Sequence, residues 1–197
     1  ANVNSEQIEA LHASGIDLTG IEQFTSLKRL YLCGNEFAQL EKVTACEKLE
    51  ELYCIRLKGD KSYEVLRNMP KLRNFYIEGS SDGVKDLSPI ASLTSLESLS
   101  VVDTEIIRAD FLKELQNLKV LRLARNGELE NMEVLGELTN LEYLELNLDA
   151  LHGHQPQYES IKNLKNLKKL NLDTVYNLDF LYELENLEEL EIDLTFY

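Results

Sequence analysis

Apolar residues recur along this chain at a fixed spacing. From Leu135 to Leu146 the order is Leu135-x-x-Leu138-x-x-Leu141-x-x-Leu144-x-Leu146, with mostly polar residues between. Three steps of three are followed by one step of two. The step of two is strand alternation, because successive strand side chains point to opposite faces. The steps of three suit a chain approaching that strand in turns or short 3₁₀ pieces. Seven more copies carry the same spacing without a gap, beginning at Ile21, Val43, Leu66, Ile90, Leu112, Ile161 and Leu181. Start-to-start distances are 22, 23, 24, 22, 23, 26 and 20 residues.

The pattern predicts strands of about three residues, at Leu30–Leu32, Leu52–Cys54, Phe75–Ile77 and onward to Leu190–Ile192. They are expected to stack as a parallel sheet on the concave face of a solenoid, with the steps of three forming the convex wall. One repeat carries five motif positions, worth about 10 kcal/mol gross at roughly 1.5–3 kcal/mol each. Ordering its backbone costs more than that. A lone repeat therefore should not fold, and stacking on neighbours decides the outcome. We expect one domain over residues 1–197, with a cap or degenerate repeat at 1–20 and eight repeats at 21–197. In the cap, Asn4 is the expected helix cap, Ile8 and Leu11 face the first repeat, and Leu11-His12-Ala13 reads as a degenerate strand. Phe196 and Tyr197 are candidates to fold over the last repeat. Polar insertions fall at Lys58-Gly59-Asp60-Lys61 and at Ala150 to Pro156, and solenoids place such insertions in loops.

Charge narrows the partners. The net charge is −15; residues 1–98 carry 15 acids and 11 bases, and residues 99–197 carry 20 acids and 9 bases. Such a surface repels phosphate backbones and offers no basic patch to anionic lipid. No nucleic acid and no membrane is expected as a partner. No apolar run approaches the ~20 residues of a membrane helix, and no signal peptide is apparent. Cys46 and Cys54 occupy core positions, where a free cysteine serves as a small hydrophobe, and Cys33 lies just past a strand. Free thiols favour a reducing compartment, so the expected location is cytoplasmic, with secretion or the cell surface as the alternative.

Segments such as Leu138-Thr139-Asn140-Leu141-Glu142-Tyr143-Leu144 and Leu164-Lys165-Asn166-Leu167-Lys168-Lys169-Leu170 resemble the leucine-rich repeat superfamily, and the resemblance runs from Ile8 to Ile192. They are similar to its short subclass of ~22 residues, which includes bacterial internalins and a eukaryotic protein phosphatase regulatory subunit. The resemblance implies an α/β fold: a right-handed solenoid, bacterial in type, that binds other proteins on its concave parallel sheet. The superfamily asparagine, five residues after the first strand leucine, is met by Asn35 and Asn126. Elsewhere that place holds Leu57, Ser80, Thr104, Asp149, Val175 or Thr195, so less regular loops are expected.

Catalytic signatures are missing: there is no phosphate-binding glycine loop, nucleophile elbow or His-Glu-x-x-His helix. His152 and His154, with Asp149 or Glu159 nearby, are the one place where a zinc site or an enzyme centre is an alternative. No cofactor is expected. The concave face carries the stronger signal. Its central row reads His12, Tyr31, Tyr53, Tyr76, Ser100, Arg122, Glu145, Asn171 and Glu191. Adjacent tyrosines would lie about one strand spacing, ~4.8 Å, apart. Flanking positions add Arg29, Ile55, Arg56, Val102, Val120, Tyr143 and Leu148. Tyrosine and arginine are enriched at interface hot spots, while mutual packing of the rings is the plainer reading. The expected function is a non-catalytic interaction module that takes a protein or peptide ligand, steered through a basic segment by the acidic row from Glu145 to Glu191. A fragment of a secreted internalin-like adhesin is the alternative.

Overall fold

The computed structural model describes residues 4–59, 63–79, 84–127, 129–148, 158–173, 175 and 177–192. Among these residues the steps of three have a direct cause. In every one of the eight copies, the amide of the second motif residue donates to the carbonyl of the first, and the third donates to the second. Phe24 donates to Ile21 and Leu27 to Phe24; Leu184 donates to Leu181 and Leu187 to Leu184, all 2.8–3.2 Å across the set. This is i→i−3 bonding, whose three residues per turn return an apolar side chain to the same side at each step. Most of these turns are 3₁₀ segments, for example Ile21–Gln23 and Glu64–Asn68; a four-residue α-turn, Leu40–Val43, is the variant.

Each turn feeds a strand. The strands are β1 Ala10–Ser14, β2 Arg29–Cys33, β3 Glu51–Ile55, β4 Asn74–Glu78 and β5 Ser98–Val102. They continue as β6 Val120–Ala124, β7 Tyr143–Asn147, β8 Lys169–Leu172 and β9 Glu189–Ile192. All nine pair in parallel and in chain order. The strands are one or two residues longer than the apolar pattern predicts. The added residues are mostly polar ones on the open face, so they extend the backbone ladder without an apolar signal. Leu11-His12-Ala13 is a strand and pairs in full register with Leu30-Tyr31-Leu32.

The register is the same at every step. Leu30, Leu52, Phe75, Leu99, Leu121, Leu144 and Leu170 form one buried row, and their exposure does not exceed 2%. Leu32, Cys54, Ile77, Val101, Leu123, Leu146 and Leu172 form the second row of one continuous core. The last strand breaks the rule, because Leu190 is 45% exposed. The expected covering by Phe196 and Tyr197 lies outside the described residues. At the other end, Asn4 accepts from the Glu6 amide at 3.3 Å, and Ile8 and Leu11 pack partly buried against the core.

Asn35 and Asn126 are buried beneath the turns that leave the strands. Asn35 accepts from the Cys33 and Gly15 amides and donates to the Ile16 carbonyl at 2.9 Å. Asn126 accepts from the amide and hydroxyl of Thr104 and donates to the Val101 carbonyl at 2.8 Å. Where the motif has Leu57 instead, the side chain simply packs, 2% exposed. Asp173 offers another solution: its carboxylate accepts the Leu148 amide at 2.9 Å. A second asparagine ladder runs before the strands. Asn117, Asn140, Asn166 and Asn186 each donate to a carbonyl of the preceding repeat at 2.7–2.9 Å.

Just before the strands lies a row of alternating charge: Glu9, Lys28, Glu50, Arg73, Glu97, Lys119, Glu142, Lys168 and Glu188. Along it, each backbone amide donates to the carbonyl of the row's previous member at 2.8–2.9 Å. The backbone ladder thus sets the side chains side by side. Lys28 pairs with Glu9 at 3.0 Å, Glu97 pairs with both Arg73 and Lys119, and Lys168 pairs with Glu142 at 2.6 Å. The carboxyl of Glu97 sits below its ordinary value through its bonds to Lys119 and Arg73. Among the described residues no helix is long and apolar enough to cross a membrane.

Candidate ligand-binding face

The strand residues between the two buried rows all face the open side. Register pairs them in the order His12, Tyr31, Tyr53, Tyr76, Ser100, Arg122, Glu145, Asn171 and Glu191. Strand spacing then decides ring geometry. His12 and Tyr31 stack with centroids 4.1 Å apart and planes 6° from parallel. Tyr31 and Tyr53 stack at 4.2 Å, and Tyr53 and Tyr76 at 5.9 Å with a 30° tilt. The stack loosens at Tyr76, where its other neighbour is the small Ser100.

Two glutamates flank the rings. The Tyr53 hydroxyl donates to Glu51 at 3.5 Å, and the Tyr76 hydroxyl donates to Glu78 at 3.0 Å. Burial pushes Tyr53 up to about 12, helped by Tyr31 and Glu51, and Tyr76 is raised by burial and by Glu78. These phenols stay neutral donors at any physiological pH. Arg56 lies at a left-handed turn position and pairs with Glu78 at 3.0 Å. Ile55 is half-buried beside the stack. Arg29 is exposed on its other side and has no ion-pair partner among the described residues.

The second half of the row is an ion cluster. Arg122 donates through Nε and Nη2 to the two carboxylate oxygens of Glu145 at 2.8 and 3.1 Å. The Tyr143 hydroxyl donates to the same carboxylate at 2.6 Å. Burial alone would raise the Glu145 carboxyl, but its bonds to Arg122 and Tyr143 outweigh burial and hold it below the usual range. Tyr143 is pushed up to about 12 by burial and by donating to Glu145. Lys169 lies 5.9 Å from the centre of the Tyr143 ring, and Asn171 donates to Glu191 at 3.1 Å. Glu145 is therefore not a free carboxylate but the acceptor that holds Arg122 and Tyr143 in place.

The row thus divides into a ring patch (Tyr31, Tyr53, Tyr76, Arg29, Ile55, Arg56) and a charged patch (Arg122, Tyr143, Glu145, Asn171, Glu191). His12 closes the stack, which ring type and register together make readable from sequence. Glu51 and Glu78 were not anticipated; they sit two residues from their tyrosines on the same strand face, which is the signal that finds them. Leu148 does not join the face: it is 4% exposed and belongs to the core, while Val102 stays on the open side of β5 but is 6% exposed.

No protein-family model matches the chain, and no curated protein does. Solved structures do. An internalin F of Listeria monocytogenes superposes with a TM-score of 0.71 at 24% identity, covering 92% of this chain and 52% of that one. An internalin C2 of the same species gives 0.64 at 25% identity, covering 97% and 76%. The chain has the leucine-rich repeat fold. This leucine-rich repeat chain spans about half the length of the internalin F structure, 52%. The Arabidopsis receptor kinase HAESA, solved with the peptide hormone IDA and a co-receptor, superposes at 0.68 with 20% identity over 97% of this chain and 35% of that one.

Of the alternative metal site in this leucine-rich repeat chain, His152, His154 and Asp149 lie outside the described residues, and Glu159 pairs with Lys162 at 3.2 Å. Among the described residues no group of three or more histidine, cysteine or acidic side chains could hold a metal ion.

Proposed function

We propose that this leucine-rich repeat chain is a protein-interaction module without catalytic activity, which takes a protein or peptide ligand across its concave face. The observation that carries the reading is the four-ring stack from His12 to Tyr76, half-open to solvent, with the exposed Arg29 beside it, which has no ion-pair partner among the described residues. Rings already stacked lose little freedom on binding, so their apolar area is available at low entropic cost. The Tyr53 and Tyr76 hydroxyls, held up by burial, remain neutral donors. The cluster around Glu145 gives the other half a fixed polar edge that sets orientation. Since Glu145 is already paired, attraction of a basic segment rests on the excess of 20 acids over 9 bases in residues 99–197 as a whole. The same excess disfavours nucleic acid and anionic membrane as partners. The reading places the chain in a reducing, cytoplasmic setting, supported by the free thiols Cys33, Cys46 and Cys54.

The test is comparative capture from the native host with the wild type and with Tyr53→Ala plus Tyr76→Ala. Loss of a specific protein by a variant whose circular dichroism is unchanged supports the ring face. Retention of every captured protein removes it.

A further inference from the structure

After leaving its strand, the chain of one repeat is bridged to that of the next at two places outside the main sheet. Glu36 bridges Lys58 and Arg108 bridges Glu130, both in parallel. In the middle of the solenoid, between β4 and β5 and the turns that follow them, this contact stops early. The Glu105 amide donates to the Val84 carbonyl at 2.9 Å, and beyond it no backbone bond joins residues 85–88 to 106–109. A groove of about 440 Å³ lies there instead. Its apolar walls are Leu87 and Phe111, both buried, and Ile107, which is 56% exposed. Ile106 and Ala109 fill the core on either side of Ile107. One repeat on, the counterpart of Ile107 is Leu129, which packs against the core. Ile107 alone is turned out, into the groove.

The backbone of Arg108 faces the same groove. Its bridge to Glu130 is made by its two neighbours: the Ile107 carbonyl accepts the Glu130 amide at 2.7 Å, and the Ala109 amide donates to the Glu130 carbonyl at 3.0 Å. Strand alternation then turns the amide and carbonyl of Arg108 itself the other way. Neither has a backbone partner among the described residues. The Arg108 side chain is held by Asp110 at 2.8 Å and Glu130 at 3.1 Å, and Lys85 lies 3.6 Å from Glu105. Both bases at the rim are therefore already matched by acids. Asp86 accepts only from the Ser88 amide and hydroxyl, at 2.8 and 3.1 Å, so its charge meets no base among the described residues. Two bases, Lys85 and Arg108, stand against four acids, Asp86, Glu105, Asp110 and Glu130.

We propose that this groove is a second interaction surface, independent of the ring face, and that its occupant is an extended segment of another protein with a large apolar side chain between two basic ones. The backbone of that segment pairs with the amide and carbonyl of Arg108, as an added strand does at an open edge. Its inward side chain fills the space between Leu87, Ile107 and Phe111, where an apolar anchor excludes water. Its two neighbours alternate outward, towards the acidic rim, where Asp86 and the surplus of carboxylates call for Lys or Arg. The order basic, apolar, basic follows from the groove floor and the rim charge together.

The probe is a fluorescein-labelled peptide, Ser-Thr-Lys-Leu-Lys-Thr-Ser, titrated with the full chain and followed by anisotropy. The controls are the Ser-for-Leu peptide of equal charge, the Glu-for-Lys peptide, and the parent peptide methylated on the leucine nitrogen. The expected result is at least tenfold tighter binding of the parent than of any control, with amide exchange slowed at Arg108. Ile107→Ser, a change at an exposed position, should keep the circular dichroism and weaken the parent peptide at least tenfold. It should leave capture by the ring face unchanged, so failure here and failure of the ring-face reading are told apart. Equal binding of the Ser-for-Leu peptide reduces the effect to net charge and overturns the proposal. So does unchanged binding by Ile107→Ser, absence of binding to the full chain, or concentration-dependent self-association that Ile107→Ser abolishes, which would make a second copy the occupant.

Discussion

Leu144 and Leu190 hold the same motif position in different repeats, and their environments predict different costs for one substitution. Leu144 is fully buried in β7, with β6 and β8 on either side. Leu144→Ala removes three buried carbons, worth about 2.4 kcal/mol at ~0.8 kcal/mol each. The strands on both sides prevent collapse, so a cavity term adds to this, and the expected total is roughly 3–5 kcal/mol. Leu190 is 45% exposed, so about half the transfer term applies and no enclosed cavity forms. The expected cost of Leu190→Ala is ~1 kcal/mol. Urea denaturation measures both. The chain has nine tyrosines and no tryptophan, so tyrosine fluorescence and circular dichroism serve as two probes whose coincidence checks the two-state assumption. Equal losses for the two variants, or a loss under ~1 kcal/mol for Leu144→Ala, would contradict the register and the exposure of Leu190 together.

Asn126→Ala removes three buried hydrogen bonds and should cost roughly 2–4 kcal/mol, read by the same urea assay; a change within error would mean that water replaces the side chain freely. Among the thiols, burial raises Cys46 to about 11 and Cys54 beyond that, while Cys33 is exposed. Ellman's reagent at neutral pH should therefore titrate one thiol quickly and the other two only on unfolding. The carboxyl of Glu145 is depressed in the folded state, so its contribution is complete above the unfolded carboxylate value of ~4.3 and is lost as pH falls through the folded one. Glu145→Gln should flatten the acid limb of the stability–pH curve, and an unchanged limb would show that the Arg122 cluster does not couple to folding. Glu97→Lys sets three bases in succession along the alternating row, Arg73, the new lysine and Lys119, and should lower the melting temperature at low salt, with the deficit shrinking as salt is added.

The fold was legible because one physical fact is written eight times. Steps of three become i→i−3 bonds and the step of two becomes a strand, so Leu30, Leu52 and their successors fall into register without any long-range information. The same periodicity placed the central row of the open face, from His12 to Glu191, residue by residue. What the spacing did not carry was how those residues meet. Glu145 looks like a free acid in sequence, yet Arg122 and Tyr143 converge on it from the preceding strand and its own. Val102 and Leu148 read as surface positions, yet Leu148 joins the core and Val102 is covered on the open side of its strand. Strand ends were read short because Arg29, Glu51 and Lys169 carry no apolar signal, although the backbone pairs through them. The alternating charge row was readable, one residue after each third motif position, but its meaning depends on the backbone ladder that brings Glu9, Lys28 and Glu50 abreast.

The central claim is that ligand binding lies on the ring stack. Its most direct measurement is calorimetric titration of a captured and purified ligand into four proteins: the wild type, Tyr53→Ala, Tyr76→Ala and Tyr182→Ala. Tyr182, 86% exposed on the last repeat and away from the stack, serves as the control. Each stack variant is predicted to weaken binding at least tenfold, about 1.4 kcal/mol, with Tyr182→Ala matching the wild type. Wild-type affinity in both stack variants would contradict the account.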